Sequence, residues 1–90
     1  MWKINYKKIF LKELSKLPKQ DRLKIEIIAF EKLSSATPFE NIDIKKMTGY
    51  KDKYRIRIGN YRLGLTVDTK QQIITLNRIA HRKDIYNIFP

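Results

Sequence analysis

The run Tyr54-Arg55-Ile56-Arg57-Ile58-Gly59-Asn60-Tyr61-Arg62-Leu63-Gly64-Leu65-Thr66-Val67 carries the clearest structural pattern in the chain. Apolar and polar residues alternate on both sides of Gly59-Asn60, the period of a β-strand with one buried face. The Gly-Asn pair suits a two-residue hairpin turn. With that turn, Ile58 pairs with Tyr61, Arg57 with Arg62, Ile56 with Leu63 and Arg55 with Gly64. Tyr54, Ile56, Ile58, Tyr61, Leu63 and Leu65 then share the core face, and Arg55, Arg57 and Arg62 share the other. Like charges directly opposite each other destabilise a sheet. Folding alone would not select this arrangement, whereas an anion between the guanidinium groups reverses the sign. Arginine offers planar, paired donors that match phosphate. Gly64 is expected to leave room beside Arg55 for a ligand backbone. The plain alternative is a solvated strand face, where arginine is ordinary.

Charge concentrates around the same hairpin. Lys45, Lys46, Lys51, Lys53, Arg55, Arg57 and Arg62 stand against Asp52 alone, so residues 45–62 hold net +6 of the chain's +11. Such an excess repels itself and is best accounted for by a polyanion, of which nucleic acid is the commonest. An acidic protein partner fits as well.

Toward the N-terminus, Trp2, Ile4 and Tyr6 alternate with Lys3 and Asn5 as a short strand. Phe10, Leu14 and Leu17 repeat at helical spacing, and Pro18 ends that helix and can open the next. Leu23, Ile27 and Phe30 mark an apolar stripe for a second helix over 21–33. Ser34 to Pro38 is a loop, 42–47 a short strand, and Gly49 a turn. After the hairpin comes a turn at Asp68-Thr69-Lys70. A third strand over 72–80 follows, its facing ambiguous because Ile73-Ile74 and Ile79-Ala80 break the alternation. Ile85 and Phe89 suit one or two closing helical turns, which would put Arg82 and Tyr86 on one helical face. The expected architecture is one α+β domain over 1–90. An N-terminal strand and a helical hairpin pack on an antiparallel sheet, with a short helix at the C-terminus.

The 90 residues, 42% hydrophobic, suffice for one compact core. With no cysteine, disulfides, thiolate metal sites and thiol nucleophiles are excluded. No apolar run has the length of a membrane span, and no secretory pattern opens the chain. A cytoplasmic location is the expectation. One histidine and scattered carboxylates point to no metal and no cofactor, and no Gly-rich phosphate loop is present. His81 is a candidate acid or base because its ordinary pKa lies near neutrality. The plain reading makes it a backbone-bonded residue at a helix entry. Tyr86 suits base stacking, or else simple packing, with Arg82 as a helix-end charge.

Two blocks resemble a known family. The run Lys45-Lys46-Met47-Thr48-Gly49-Tyr50-Lys51-Asp52-Lys53-Tyr54-Arg55-Ile56-Arg57-Ile58-Gly59-Asn60-Tyr61-Arg62-Leu63 resembles the central block of RelE/ParE-superfamily toxins. Ile79-Ala80-His81-Arg82-Lys83-Asp84-Ile85-Tyr86 resembles the closing motif of the RelE branch. The resemblance implies a type II toxin, a metal-independent endoribonuclease that cuts mRNA in the ribosomal A site. The message's own 2′-OH attacks and a 2′,3′-cyclic phosphate forms. It implies contact with mRNA and rRNA, and a hetero-oligomer with a cognate antitoxin. By position, Arg55 and Arg57 fall where the family presents two basic residues to the scissile phosphate. Arg62 matches the arginine that stabilises transition-state charge, Arg82 the group that protonates the leaving oxygen, and Tyr86 the tyrosine that orients substrate. Lys45, Lys46, Lys51 and Lys53 are expected to bind the RNA backbone.

Well-known members carry Lys where Arg55 and Arg57 stand. Arginine stays protonated and is a poor base, so His81, Tyr86 and an atypical arginine role remain open for that step. Two other functions fit the same fold. One is a ParE-like inhibitor of DNA gyrase without nuclease activity. The other is a non-catalytic RNA- or ribosome-binding module.

Overall fold

The computed structural model describes residues 2–90. The elements run β1 (Lys3–Tyr6), α1 (Lys8–Ser15), α2 (Lys19–Glu26), β2 (Ile44–Lys46), β3 (Lys53–Ile58), β4 (Tyr61–Asp68), β5 (Ile73–His81) and α3 (Ile85–Ile88). Five strands form one sheet in the order β1-β5-β4-β3-β2. The β2–β3, β3–β4 and β4–β5 pairs are antiparallel, as expected. β1 joins the far edge parallel to β5, so the sheet is mixed. Parallel neighbours need a long crossover, and here the α1–α2 hairpin and the other three strands lie between β1 and β5 in the chain.

The hairpin register is the one the alternation dictates: Ile58 opposes Tyr61, Arg57 opposes Arg62, Ile56 opposes Leu63, and Arg55 opposes Gly64. Gly59 turns at φ 59°, a value open to glycine without strain. Ile56, Leu63 and Leu65 are fully buried with Phe10, Ile25, Leu33, Ile74 and Leu76, and Tyr54 and Tyr61 pack at the rim of that core. A bulge in the β4–β5 ladder explains the ambiguous third strand. Gly64 pairs with Arg78 but Leu65 pairs with Leu76, leaving Asn77 as the extra residue. Ile74 and Leu76 on one side of it and Ile79 on the other can therefore all face the core.

The second helix corrects the expected stripe. Leu23, Ile27 and Phe30 are 47%, 52% and 39% exposed. The buried side is Ile25, Ala29 and Leu33. Both sets repeat at helical spacing, and docking on the sheet chose the one in which Ala29 lets the backbone approach closely. Beyond Glu26 the helix widens to π geometry over Ile27–Lys32, where the Leu33 amide donates to the Ile28 carbonyl at 3.0 Å. Glu13 of α1 ties the hairpin to the sheet. Its carboxylate accepts from Arg78 Nη2 at 2.7 Å and from the Ile79 amide at 3.1 Å.

The other face of the sheet is covered at one place by the C-terminal segment. Ile85 and Phe89 are buried there, apart from the main cluster. A Cβ on Gly64 would lie 2.6 Å from Phe89 Cγ. The room expected beside Arg55 for a ligand is thus filled by the protein's own ring. No helix is long and apolar enough to cross a membrane among the described residues.

Candidate functional site

Two cross-strand rows build the site on the face opposite α1 and α2. Lys45, Arg55 and Gly64 are successive partners across β2, β3 and β4. One step along, Arg57 opposes Arg62, and the Arg57 amide donates to the Asp43 carbonyl at 2.9 Å, which extends the β2–β3 ladder to Asp43. Side chains of one face recur every second residue, so Asp43, Lys45, Arg55, Arg57 and Arg62 all project together. With Tyr86 from α3 they line a cleft of about 230 Å³.

Each guanidinium that would clash has a partner within the chain. Arg57 forms an ion pair with Asp43, Nε to Oδ2 at 2.7 Å. Both side chains are more than half exposed, so the pair adds at most about 1 kcal/mol to stability. Arg62 Nη1 donates to the Gly59 and Tyr61 carbonyls at 2.9 Å each. Arg55 lies over the Tyr86 ring, its guanidinium carbon 4.9 Å from the centroid, a cation–π contact.

The electrostatics record the crowding. Arg62 is held below the usual arginine pKa, first by desolvation and then by the charges of Arg57, Arg82 and Arg55, with Tyr86 opposing. The Tyr86 hydroxyl is held below the ordinary tyrosine value. Arg55 acts first, as the nearest hydrogen-bond donor and then as a charge; desolvation opposes, and Arg62 and Lys45 add to the lowering. Since the guanidinium sits over the ring face, the field of the cations is the physical cause that carries most weight.

The remaining expected residues lie elsewhere. Arg82 is in the turn between β5 and α3, before the helix begins, so it shares no helical face with Tyr86. Its amide donates to the Asn60 carbonyl at 2.8 Å, which places Arg82 beside the hairpin turn and within the field of Arg62. His81 ends β5 opposite Tyr61. Its ring meets the Tyr61 ring edge-on at 5.8 Å, and Nδ1 accepts from the Lys83 amide at 3.2 Å. It does not line the cleft, and its bond to the backbone matches the plain reading, though at a strand end and not at a helix entry. Lys46 and Lys51 border a separate shallow groove around Gly49. Lys53 Nζ donates to Thr66 Oγ1 at 3.0 Å.

Asp43 belongs to none of the motifs that mark the site in the sequence. The signal was there: it stands two residues before Lys45, on the same face of the same strand. No three His, Cys, Asp or Glu side chains gather as a metal would require among the described residues.

Comparison with known proteins bears on this geometry. Residues 4–86 match the family model described as the ParE toxin of type II toxin–antitoxin systems, parDE. The chain is 40% identical over 89 residues to Toxin RelE3 of Methanocaldococcus jannaschii, covering 98% of this chain and 99% of that protein. It is also similar to the crystal structure of the RelB-RelE antitoxin-toxin complex from Methanococcus jannaschii, with a TM-score of 0.79 and 40% identity over 96% of this chain and 99% of that one. The archaeal RelE-RelB complex from Pyrococcus horikoshii matches at a TM-score of 0.67 and 28% identity, covering 90% of this chain and 94% of that one.

Proposed function

The chain belongs to the RelE/ParE toxin family of type II toxin–antitoxin systems, and from that premise we propose that it is a RelE-like, ribosome-dependent endoribonuclease that cuts message in the A site. The observation that supports this most is the convergence of Lys45, Arg55, Arg57, Arg62 and Tyr86 on one cleft. A scissile phosphate seated there meets cations from three strands. The 2′-oxygen of the preceding ribose attacks phosphorus, the bond to the 5′-oxygen breaks, and a 2′,3′-cyclic phosphate and a 5′-hydroxyl result.

The extra negative charge of the pentavalent state falls among Arg55, Arg57 and Arg62. Preorganised cations of this kind supply most of the rate, each lost contact costing about 2.7–4 kcal/mol of barrier. Of the candidates for the base, Tyr86 has the stronger support, because it stands in the cleft and Arg55 favours its ionised form. The His81 Nδ1 lone pair is engaged by the backbone. Arg82, beside the hairpin turn, is the group proposed to protonate the leaving 5′-oxygen. Lys46, Lys51 and Lys53 lie outside the cleft and act as long-range attraction for mRNA and rRNA. Two similar solved structures are toxin–antitoxin complexes. A cognate antitoxin is accordingly proposed as the partner, and the cytoplasm, where ribosomes are, as the location.

The match to a model described as a ParE toxin favours one other reading, inhibition of DNA gyrase. Translation in vitro with primer extension on the message separates them. Cuts that appear only when ribosomes are present support the nuclease. Intact message with inhibited gyrase supports the other reading, and stalled translation on intact message supports a binding module.

A further inference from the structure

Within the cleft, Asp43 is the one carboxylate among five groups that are cationic or aromatic. A carboxylate at a phosphate site repels the ligand, so its presence needs a physical reason. Arg57 stands between Asp43 on the β2 side and Arg62 on the β4 side. Asp43 meets the guanidinium at its Nε edge. No side-chain hydrogen bond engages the two terminal nitrogens, the pair whose spacing matches two phosphate oxygens, among the described residues. The Asp43 contact also draws Arg57 away from Arg62, which is itself held by the turn carbonyls.

We infer that Asp43 is a positioning residue: it anchors Arg57 by the Nε edge so that the terminal edge of that guanidinium is presented to the RNA phosphate. The inference deepens the reading of the cleft as a phosphate site and rests on it. Asp43 acts through Arg57 and takes no proton. The geometry of the pair is set by the ladder, because the Asp43 carbonyl already accepts the Arg57 amide. The same pair of residues is thereby joined by backbone and by side chain, which limits how far the guanidinium can swing.

The test compares the full-length wild type with Asp43→Ala, Asp43→Asn and Arg57→Ala, and with the Asp43→Ala/Arg57→Ala double variant. Ribosome-dependent cleavage is measured for each, and the Arg57 Nε–H signal is followed by NMR. Asp43→Ala is expected to lower kcat about tenfold, the size of one charge-assisted contact, while KM does not rise because a repulsive charge has gone. Asp43→Asn, which keeps an oxygen at the Nε edge, is expected to lose less. In the Arg57→Ala background, Asp43→Ala is expected to cost nothing further. The Arg57 Nε–H signal is expected to be resolved in the wild type and lost to averaging in Asp43→Ala. Wild-type activity in Asp43→Ala would overturn the inference. Loss in Asp43→Asn as deep as in Asp43→Ala would overturn it as well, by making Asp43 itself the base, and so would additive losses in the double variant. A wild type that cuts no message defeats the nuclease reading instead, and the Nε–H signal then still decides whether Asp43 orders Arg57.

Discussion

The Arg55 guanidinium carbon stands 4.9 Å above the centroid of the Tyr86 ring, and this contact joins β3 to the last helical turn. Tyr86 is 71% exposed, and Arg55 packs on the face of its ring. The same contact gives the phenol its lowered pKa.

Arg55→Ala is accordingly expected to return the Tyr86 pKa toward the ordinary tyrosine value, read from phenolate absorbance in a pH titration. Tyr86 is an acid whose folded pKa lies below its unfolded one. Its ionisation thus favours folding only in the alkaline range, and the contribution is lost as pH falls through the lowered value. Near neutrality it adds nothing to stability, so Tyr86→Phe is expected to leave Tm unchanged. The same substitution is expected to slow cleavage by about 10²–10⁴, the usual contribution of a positioned base. Cleavage at the wild-type rate would remove Tyr86 from that role.

Arg62→Ala is expected to separate function from stability. The folded state disfavours this cation, first by desolvation and then through Arg57, Arg82 and Arg55. A base whose folded pKa is lowered costs stability while it stays charged, which covers the whole physiological range. Cleavage should fall about 10²–10³-fold, the loss of one transition-state contact, and Tm should not fall. Added salt screens the repulsion and should raise the wild-type Tm more than that of the variant. A variant that unfolds at lower temperature would mean that the carbonyl bonds of Arg62 outweigh the repulsion.

Gly64→Ala tests the packing under Tyr86. The new Cβ would meet Phe89 Cγ and Cδ2 at 2.6 Å, closer than carbon atoms approach. Overpacking of this kind costs about 1–3 kcal/mol, measurable by denaturant titration. Because Phe89 immediately follows α3, the turn that carries Tyr86 should shift and kcat should fall with stability. Unchanged stability would show that Phe89 swings aside freely.

RNA affinity should fall with salt by about 0.7 log units per decade for each phosphate contact. Arg57→Ala should reduce the slope by about one contact, and Lys53→Ala, outside the cleft, by less. A flat response for the wild type would assign the basic stretch to protein partners alone.

The hairpin was legible in the sequence because its evidence is local. Alternation and a Gly-Asn turn set which residues oppose each other, and the Arg57–Arg62 pairing follows from counting outward from the turn. The helical hairpin was legible only in part. Its second helix carries two apolar stripes, and periodicity ranks neither above the other. Arg82 and His81 were legible as a motif, yet the turn at 82–84 placed one beside the hairpin and the other against Tyr61.

The cations on one face of the hairpin follow from local pattern alone, since a two-residue period and a two-residue turn leave that face no freedom. What stands among them was set by long-range packing. Asp43 reached Arg57 because β2 pairs with β3. Tyr86 reached Arg55 because Ile85 and Phe89 bury themselves against the sheet beside Gly64. Such contacts depend on how separate segments pack, and packing is settled by shape and burial across the whole chain, which no local pattern encodes.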